Sequence, residues 1–400
     1  MINKKEYPRL ALVHDHPQGW PGGGPLLLRR IFQGYPSDRL IYISSFPSRN
    51  AINSSWLTGY YSVGRQTNFG RYGLGRLKLI WSCLPWSGRT RKIKIIFKEN
   101  QIESVHAVAH EFLWLPALWA AKSLNIPYVL AIHDHWPSTV RKQVPKKLAN
   151  KIFCFFAKRA DVIVGAHEGM SELLQKEYGL NQVGVERDGL NQEEVAARPC
   201  GFRKKRPVRR VRVGYSGMFV TYQPEFAQLH QAFSMLRERD GINATLVLCV
   251  EIGLENLQVQ GWKQEELEYH SWTDYQSVQQ ILRSCDIFFL PMSYDPAKID
   301  TMRWGMSCKT AQYLQAGKPI LTYAPSYASI AGLARDYQIG VLVAEPDPEC
   351  LYRGLRRLTE DPQLLLEIEE GSRRCIEDRF NMDRIKASIW TLLKKTTLSI

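Results

Sequence analysis

The stretch that most constrains this chain is 286–324, DIFFLPMSYDPAKIDTMRWGMSCKTAQYLQAGKPILTYA. It opens on an apolar run, Asp286 to Pro291, with the length of a buried strand, and closes on a second run, Ile320 to Tyr323. Between them a polar loop leads into a helix expected from Ser307 to Ala316. Gly317 stands where a helix C-terminus takes a left-handed residue, and Pro319 stops the helix from continuing. Strand, loop, helix and strand in that order form the repeating unit of a parallel sheet.

The start of that helix carries an unusual charge. A helix N-terminus has partial positive character and favours Asp or Glu, yet Arg303 and Lys309 stand here with no acid between Met302 and Gly317. Either the two cations are simply solvated, or an anion sits among them, since helix N-termini bind phosphate readily. A phosphate site is the favoured expectation.

At 400 residues the chain exceeds what one core normally supports, so two domains are expected. The eight cysteines are scattered without a C-x-x-C pair, which argues against a disulfide or zinc framework and fits reduced thiols in the cytoplasm. No signal peptide is apparent, and the most apolar stretch, 105–132, is broken by His106, His110, Glu111 and Lys122. The net charge of +14 is lopsided: residues 1–160 hold 24 Lys/Arg against 7 Asp/Glu, and residues 161–400 hold 29 against 32. A basic half beside a balanced one implies an anionic partner, whether nucleic acid, a membrane surface or an acidic acceptor.

Taken in order, Arg9 to Val13 reads as a first strand, followed by HDHPQGWPGGGP and a helix near 25–34. The run Gly22-Gly23-Gly24 allows close backbone approach to a phosphate or sugar, or serves as a plain turn. Residues 50–100 interleave aromatics with cations and suit a membrane-surface patch, a stacking surface, or a pair of helices with a solvated face, the last being the plainest reading. Buried strands are expected at Leu40 to Ser45, Val105 to Ala109, Tyr128 to Ile132 and Asp161 to Val164. They end in polar residues, among them His110-Glu111 and His133-Asp134-His135, and ligands bind at that edge of a parallel sheet. The histidine pairs 14/16 and 133/135 are spaced so that, if the strand continues, at most one member of each faces a shared cleft. A metal site is not expected there, because no acidic or cysteine ligand set completes it. The basic, proline-containing run 198–210 reads as a linker, after which a second β/α series begins with Val211 to Tyr215.

SCKTAQYLQAGKPIL resembles the S-x-K-x-x-E-Y-L-x-A-G-K-P segment of family 4-type glycosyltransferases of the GT-B fold. HDHPQGWPGGGP, ERDGLN, VGYSGMF and CDIFFLP are similar, in the same order, to other segments of that family. The resemblance implies an α/β architecture of two Rossmann-like, doubly wound domains facing a cleft. The expected divisions are 1–197 for the acceptor domain, 198–210 for the linker, 211–380 for the nucleotide-sugar domain, and 381–400 for a last helix returning to the first domain. It also implies a UDP- or GDP-sugar donor with no further cofactor, transfer with retention, and a glycan or lipid-linked acceptor. By position, Lys309 and the backbone near Ser307 meet the diphosphate, with Arg303 assisting. Gln312 faces the ribose, and the loop at Tyr269 to Trp272 the base. Gly217 lies in the turn opening the nucleotide domain, His133 sits by the donor sugar, and Gly23 and Gly24 near its phosphates. If the reaction inverts instead, Asp15, His16, His110, Glu111 and Asp134 are the candidate bases.

The chain departs from the family pattern at the paired glutamates, which are Trp304 and Gln312 here, and at the arginine after the turn glycine, which is Met218. The leading expectation is an active transferase in polysaccharide or glycoconjugate biosynthesis, cytoplasmic and peripheral at the inner face of an anionic membrane, with no nucleic-acid partner. A catalytically weakened binding or partner subunit is the alternative.

Overall fold

The structure is a computed structural model that describes residues 7–17, 23–47, 56–64, 84–141, 143–199, 209–217, 219–250, 261–271 and 275–398. The chain divides into two compact units. The first comprises 1–188, 304–306 and 382–400; the second comprises 189–303 and 307–381.

The first unit is built on strands β1 (Leu10–Val13), β2 (Leu40–Ser44), β3 (Gly59–Ser62), β4 (Ser104–Val108), β5 (Tyr128–Ile132), β6 (Val162–Gly165) and β7 (Gly184–Val185). They form one seven-stranded sheet in the order β3-β2-β1-β4-β5-β6-β7, parallel at each pairing. β1, β2, β4 and β5 are buried at every position, because helices cover both faces and the usual alternation of polar and apolar residues is lost. The pleat still separates the faces. Ala11, Val13, Ile41, Ile43, Val105 and Leu130 enter one core, while Leu10, Leu12, Leu40, Tyr42 and Val129 enter the other.

The helix Met382–Leu398 supplies much of that second core through Met382, Ile385, Ile389 and Leu393, spaced to line one helical face. Its Trp390 packs edge-on against Tyr7 and Tyr35, and its indole N–H donates to the Ile31 carbonyl at 3.2 Å.

The second unit carries β8 (Arg210–Ser216), β9 (Asn243–Val250), β10 (Leu267–Ser271), β11 (Ile287–Pro291), β12 (Ile320–Tyr323) and β13 (Gly340–Val343). Their order is β10-β9-β8-β11-β12-β13, again all parallel. In both sheets the strand order reverses beside the first strand, between β1 and β4 and between β8 and β11. A crevice opens at the strand C-termini at such a reversal, and ligands of doubly wound folds bind there.

Several local expectations are revised. Within 50–100, residues 59–62 pair as an edge strand, and the described helix is Gly88–Glu99, N-capped by the Ser87 hydroxyl; residues 50–55 and 65–83 lie outside the described residues. Val63, Tyr61 and Trp56 carry the signal that a count of cations obscured, since they pack into the sheet cores. The loop after β11 contains a 3-10 turn at Pro296–Lys298 and a short helix at Ile299–Trp304. The next helix starts at Lys309, not Ser307, and runs to Ala316. β10 and β13 are edge strands of mixed burial; β10, LEYHS, has no apolar run to mark it, whereas β13, GVLV, has one that the sequence reading passed over.

Gly317 closes the helix Lys309–Ala316 at φ +68°, and a Cβ added there would also meet the Pro199 carbonyl oxygen at 3.0 Å. A left-handed conformation costs a residue with a side chain about 1–2 kcal/mol. Gly317→Ala is therefore expected to lower unfolding free energy by at least about 1 kcal/mol in urea titration. A change within about 0.3 kcal/mol would show that the turn relaxes freely.

Candidate functional site

In the second unit, the reversal crevice is lined by the end of β8 and by the helix that follows β11. Lys309 is the first residue of that helix. Its side chain passes directly across Gly217, where an added Cβ would lie 2.7 Å from Cε and 3.2 Å from Nζ. Gly217 itself has φ +111°. A side chain at 217 is thus excluded twice, by the backbone and by the lysine. The Lys309 ammonium faces the rings of Tyr215 at 5.2 Å and Tyr222 at 5.6 Å. Burial lowers its pKa, and among the described residues no carboxylate forms an ion pair with it. Two aromatic faces compensate a desolvated ammonium only in part. A ligand anion would complete the neutralisation, aided by the free N–H groups of the helix end.

The same helix is tied to the sheet by Tyr313, whose hydroxyl accepts from the Ser216 N–H at 3.1 Å and whose ring stacks on Phe288. Gln312 accepts from the Ser216 hydroxyl at 3.3 Å, so it borders the same turn as Gly217. Ser307 is half-buried just ahead of the helix, its carbonyl accepting from the Thr310 N–H. Arg303 lies in the short helix Ile299–Trp304 and is half-buried. Trp272 and Met218 lie outside the described residues.

In the first unit, the C-terminal edge of the sheet gathers residues from five strands. Asp15 follows β1 and is 2% exposed. Its carboxylate accepts from the Ser45 hydroxyl and from the backbone N–H groups of Glu111 and Leu113, at 3.0–3.3 Å. It therefore straps the loop after β1 to the loop after β4. A carboxylate so occupied serves as a strut, which argues against the role of proton acceptor expected for it.

His14 is buried, and burial, with the nearby His110 and His16, pushes its pKa well down. Its Nδ1 accepts from the His16 N–H at 3.1 Å, and its Nε2 points at Gly24, where a Cβ would come to 2.6 Å. Gly23 and Gly24 accordingly begin the helix Gly23–Phe32; residues 18–22 of the glycine-rich run lie outside the described residues. His16 is half-buried, its pKa lowered by burial and then by His110. His14 and His135 are buried and His16 and His133 partly exposed, but the first pair does not divide between opposite faces: the rings of His14 and His16 both lie beside His110, at 5.4 and 4.8 Å, because the chain turns after β1 instead of continuing as a strand. Asp134 is partly exposed as well.

His135 bonds Ser138 and the Tyr178 hydroxyl, each at 2.7 Å, and its ring lies 4.9 Å from that of Trp304, which is fully buried in the same unit. The position at which the family pattern carries a glutamate is thus filled by an indole packed on an imidazole.

Glu186 escaped the sequence reading. It is completely buried after β7 and bridges His106 at 2.5 Å and His133 at 3.0 Å. Burial alone would raise its pKa, but His106, by charge and hydrogen bond, and then His133 outweigh this and hold the carboxyl well below its ordinary value. The available signal was His106 itself, because a histidine inside the otherwise apolar strand SVHAV needs a polar partner. Eighty residues separate the pair, so no local spacing names that partner.

One further grouping differs from expectation. An acid does join the histidines: ligand atoms of His16, His110 and Glu111 all lie within 4.8 Å of one another.

Two parallel sheets of Rossmann order, each with polar groups at its reversal point, define a nucleotide-binding α/β pair of the GT-B type. Residues 64–186 match Glycosyltransferase Family 4, and residues 210–361 match Glycosyl transferases group 1. The chain belongs to the glycosyltransferases of the GT-B fold. A sucrose-phosphate synthase from Thermosynechococcus elongatus has a similar structure, with TM-score 0.70 and 14% identity over 98% of this chain and 99% of that one. Anabaena HepE, solved with UDP and glucose, gives 0.65 and 13% over 97% and 99%. A UDP-forming α,α-trehalose-phosphate synthase from Burkholderia xenovorans, in complex with glucose-6-phosphate, gives 0.64 and 12% over 97% and 99%. No curated protein matches by sequence.

Glu186→Gln removes the charge while keeping the shape. At neutral pH it is expected to cost roughly 1–3 kcal/mol of stability, because the buried His106 and the partly exposed His133 lose their anion. A depressed carboxyl contributes stability above its unfolded value, near 4.5, and loses it as pH falls toward the folded value. The gap between wild type and variant should therefore be full above pH ~5 and shrink in acid, as read by unfolding across pH.

Proposed function

We propose that the protein transfers a sugar from a nucleoside-diphosphate sugar, of the UDP series, to a glycan or lipid-linked acceptor with retention at the anomeric carbon. The observation that carries this reading is the Lys309 ammonium, lying across Gly217 at a helix N-terminus without a carboxylate partner among the described residues. The diphosphate leaving group gains charge as the glycosidic bond breaks, so a fixed cation and aligned N–H groups favour the transition state over the ground state. Gln312 and Ser216 are placed to meet ribose hydroxyls, and Arg303 adds positive charge on the approach. Glu186 holds His133 in one orientation at the C-terminal edge of the first unit's sheet. UDP is favoured over GDP because HepE was solved with UDP and the Burkholderia synthase is UDP-forming.

The buried indole of Trp304 favours a second reading, in which the chain binds donor but turns it over weakly or serves a partner enzyme. Lys309→Ala separates the outcomes. A charge-assisted contact contributes about 1.5–3 kcal/mol, so UDP affinity by calorimetry should fall roughly 10- to 150-fold, with uridine affinity unchanged. Equal UDP affinity in wild type and variant would overturn the donor site. UDP binding without transfer or donor hydrolysis would select the binding-subunit reading, and an inverted product anomer would transfer the burden to His16, His110, Glu111 or Asp134.

The lipid-linked acceptor draws support from the helix Lys146–Ala157, which exposes Leu148 (39%) and Phe155 (44%) among Lys146, Lys147, Lys151, Lys158 and Arg159. Such a face seats apolar groups in a headgroup layer while its cations meet anionic lipid. Among the described residues no helix is long and apolar enough to cross a membrane. In vesicle pelleting, phosphatidylglycerol should retain the wild type at low salt, and Leu148→Glu with Phe155→Glu should release it. Equal pelleting of both proteins would remove this surface from consideration.

A further inference from the structure

The crevice of the first unit contains a grouping that sugar transfer as described leaves without a task. His16 comes from the loop after β1; His110 and Glu111 come from the loop after β4, the neighbouring strand across the reversal point. Two imidazoles and one carboxylate make up the donor set of three-ligand catalytic zinc centres. We propose that His16, His110 and Glu111 bind a divalent ion of the zinc class, leaving at least one coordination position open toward the crevice.

The backbone on each side of this set is pinned. The His16 N–H donates to His14 Nδ1 and its carbonyl accepts from the Tyr42 hydroxyl at 3.0 Å. The Glu111 N–H donates to the Asp15 carboxylate at 3.0 Å, and its carbonyl accepts from the indole N–H groups of both Trp114 and Trp136. Asp15 therefore fixes the separation of the two ligand-bearing loops, the work that outer carboxylates perform around metal centres. On the His110 ring, Nδ1 is buried and has no hydrogen-bond partner among the described residues. Buried polar nitrogens are normally satisfied, and a coordinated ion is one way to satisfy this ring.

A tetrahedral ion with bonds of about 2.0–2.1 Å holds its ligands roughly 3.4 Å apart, so from a spacing within 4.8 Å the set must close by at most about 1.4 Å. Glu111 is partly exposed and can supply that movement by rotation of its side chain. A metal centre here would place a Lewis acid among the groups flanking the acceptor side of the fold. The inference does not depend on the donor site, and its test needs no turnover.

Co2+ is the probe, because its visible spectrum reports ligand type and geometry. The full-length chain, stripped with chelator, should take up one Co2+ with a low-symmetry spectrum of nitrogen and oxygen ligands and a raised thermal midpoint. His110→Ala should abolish that spectrum and the thermal shift, Glu111→Gln should weaken binding about tenfold or more, and Cys308→Ala should change neither. Circular dichroism and the metal-free thermal midpoint establish that each variant is folded. If His110→Ala does not fold, Glu111→Gln alone decides, since it exchanges one partly exposed side chain for a near-isostere. The proposal is overturned if the wild type binds Co2+ no better than free imidazole does. It is equally overturned if the folded variants keep the wild-type stoichiometry and affinity, or if the spectrum shows thiolate ligation lost in Cys308→Ala.

Discussion

Lys309 can lie where it does only because residue 217 has no side chain. The ammonium lies partly buried beside two tyrosine rings, and the strand end beneath it gives way by the width of one methyl group. Around that contact the rest of the second unit has an evident logic. Tyr313 ties the helix to β8 and stacks on β11, and Gly317 ends the helix so that β12 can return beside β11. The cation's partly unmet electrostatic demand is the ground on which a donor site is proposed for this strand–helix unit.

The first unit solves the complementary problem of holding many titratable groups close together. Four histidines, 14, 16, 110 and 133, are near enough for their charges to interact. Repulsion among cations and burial both oppose protonation of His14 and His16, so those rings stay neutral donors and acceptors. Asp15 and Glu186 supply the order, one by fixing backbones and the other by fixing rings. Neither carboxylate needs to reach a ligand to determine what the crevice can do.

The sheets were legible because burial on both faces leaves continuous apolar runs, so Tyr128–Ile132 and Ile320–Tyr323 were located to the residue. Lys309 was legible because a cation breaks the rule for helix starts. What stayed hidden depended on long-range geometry. Glu186 has its partner 80 positions away, and His110 meets His16 only after β1 and β4 become neighbours. Edge strands such as Gly59–Ser62 are half-buried, and a run of glycine, tyrosine and serine beside many cations gives little periodicity to read. Asp15 was visible as an acid at a strand end, but its type and place alone do not separate a strut from a base.

The helix Met382–Leu398 places residues as late as Leu393 into a core begun by Leu10 and Leu12. During synthesis, β1 to β7 emerge from the ribosome long before the segment that covers one of their faces. A nascent chain commonly folds its leading domain first. Here one face of that domain's sheet lacks the side chains of Met382, Ile385, Ile389 and Leu393 until that helix has left the ribosome.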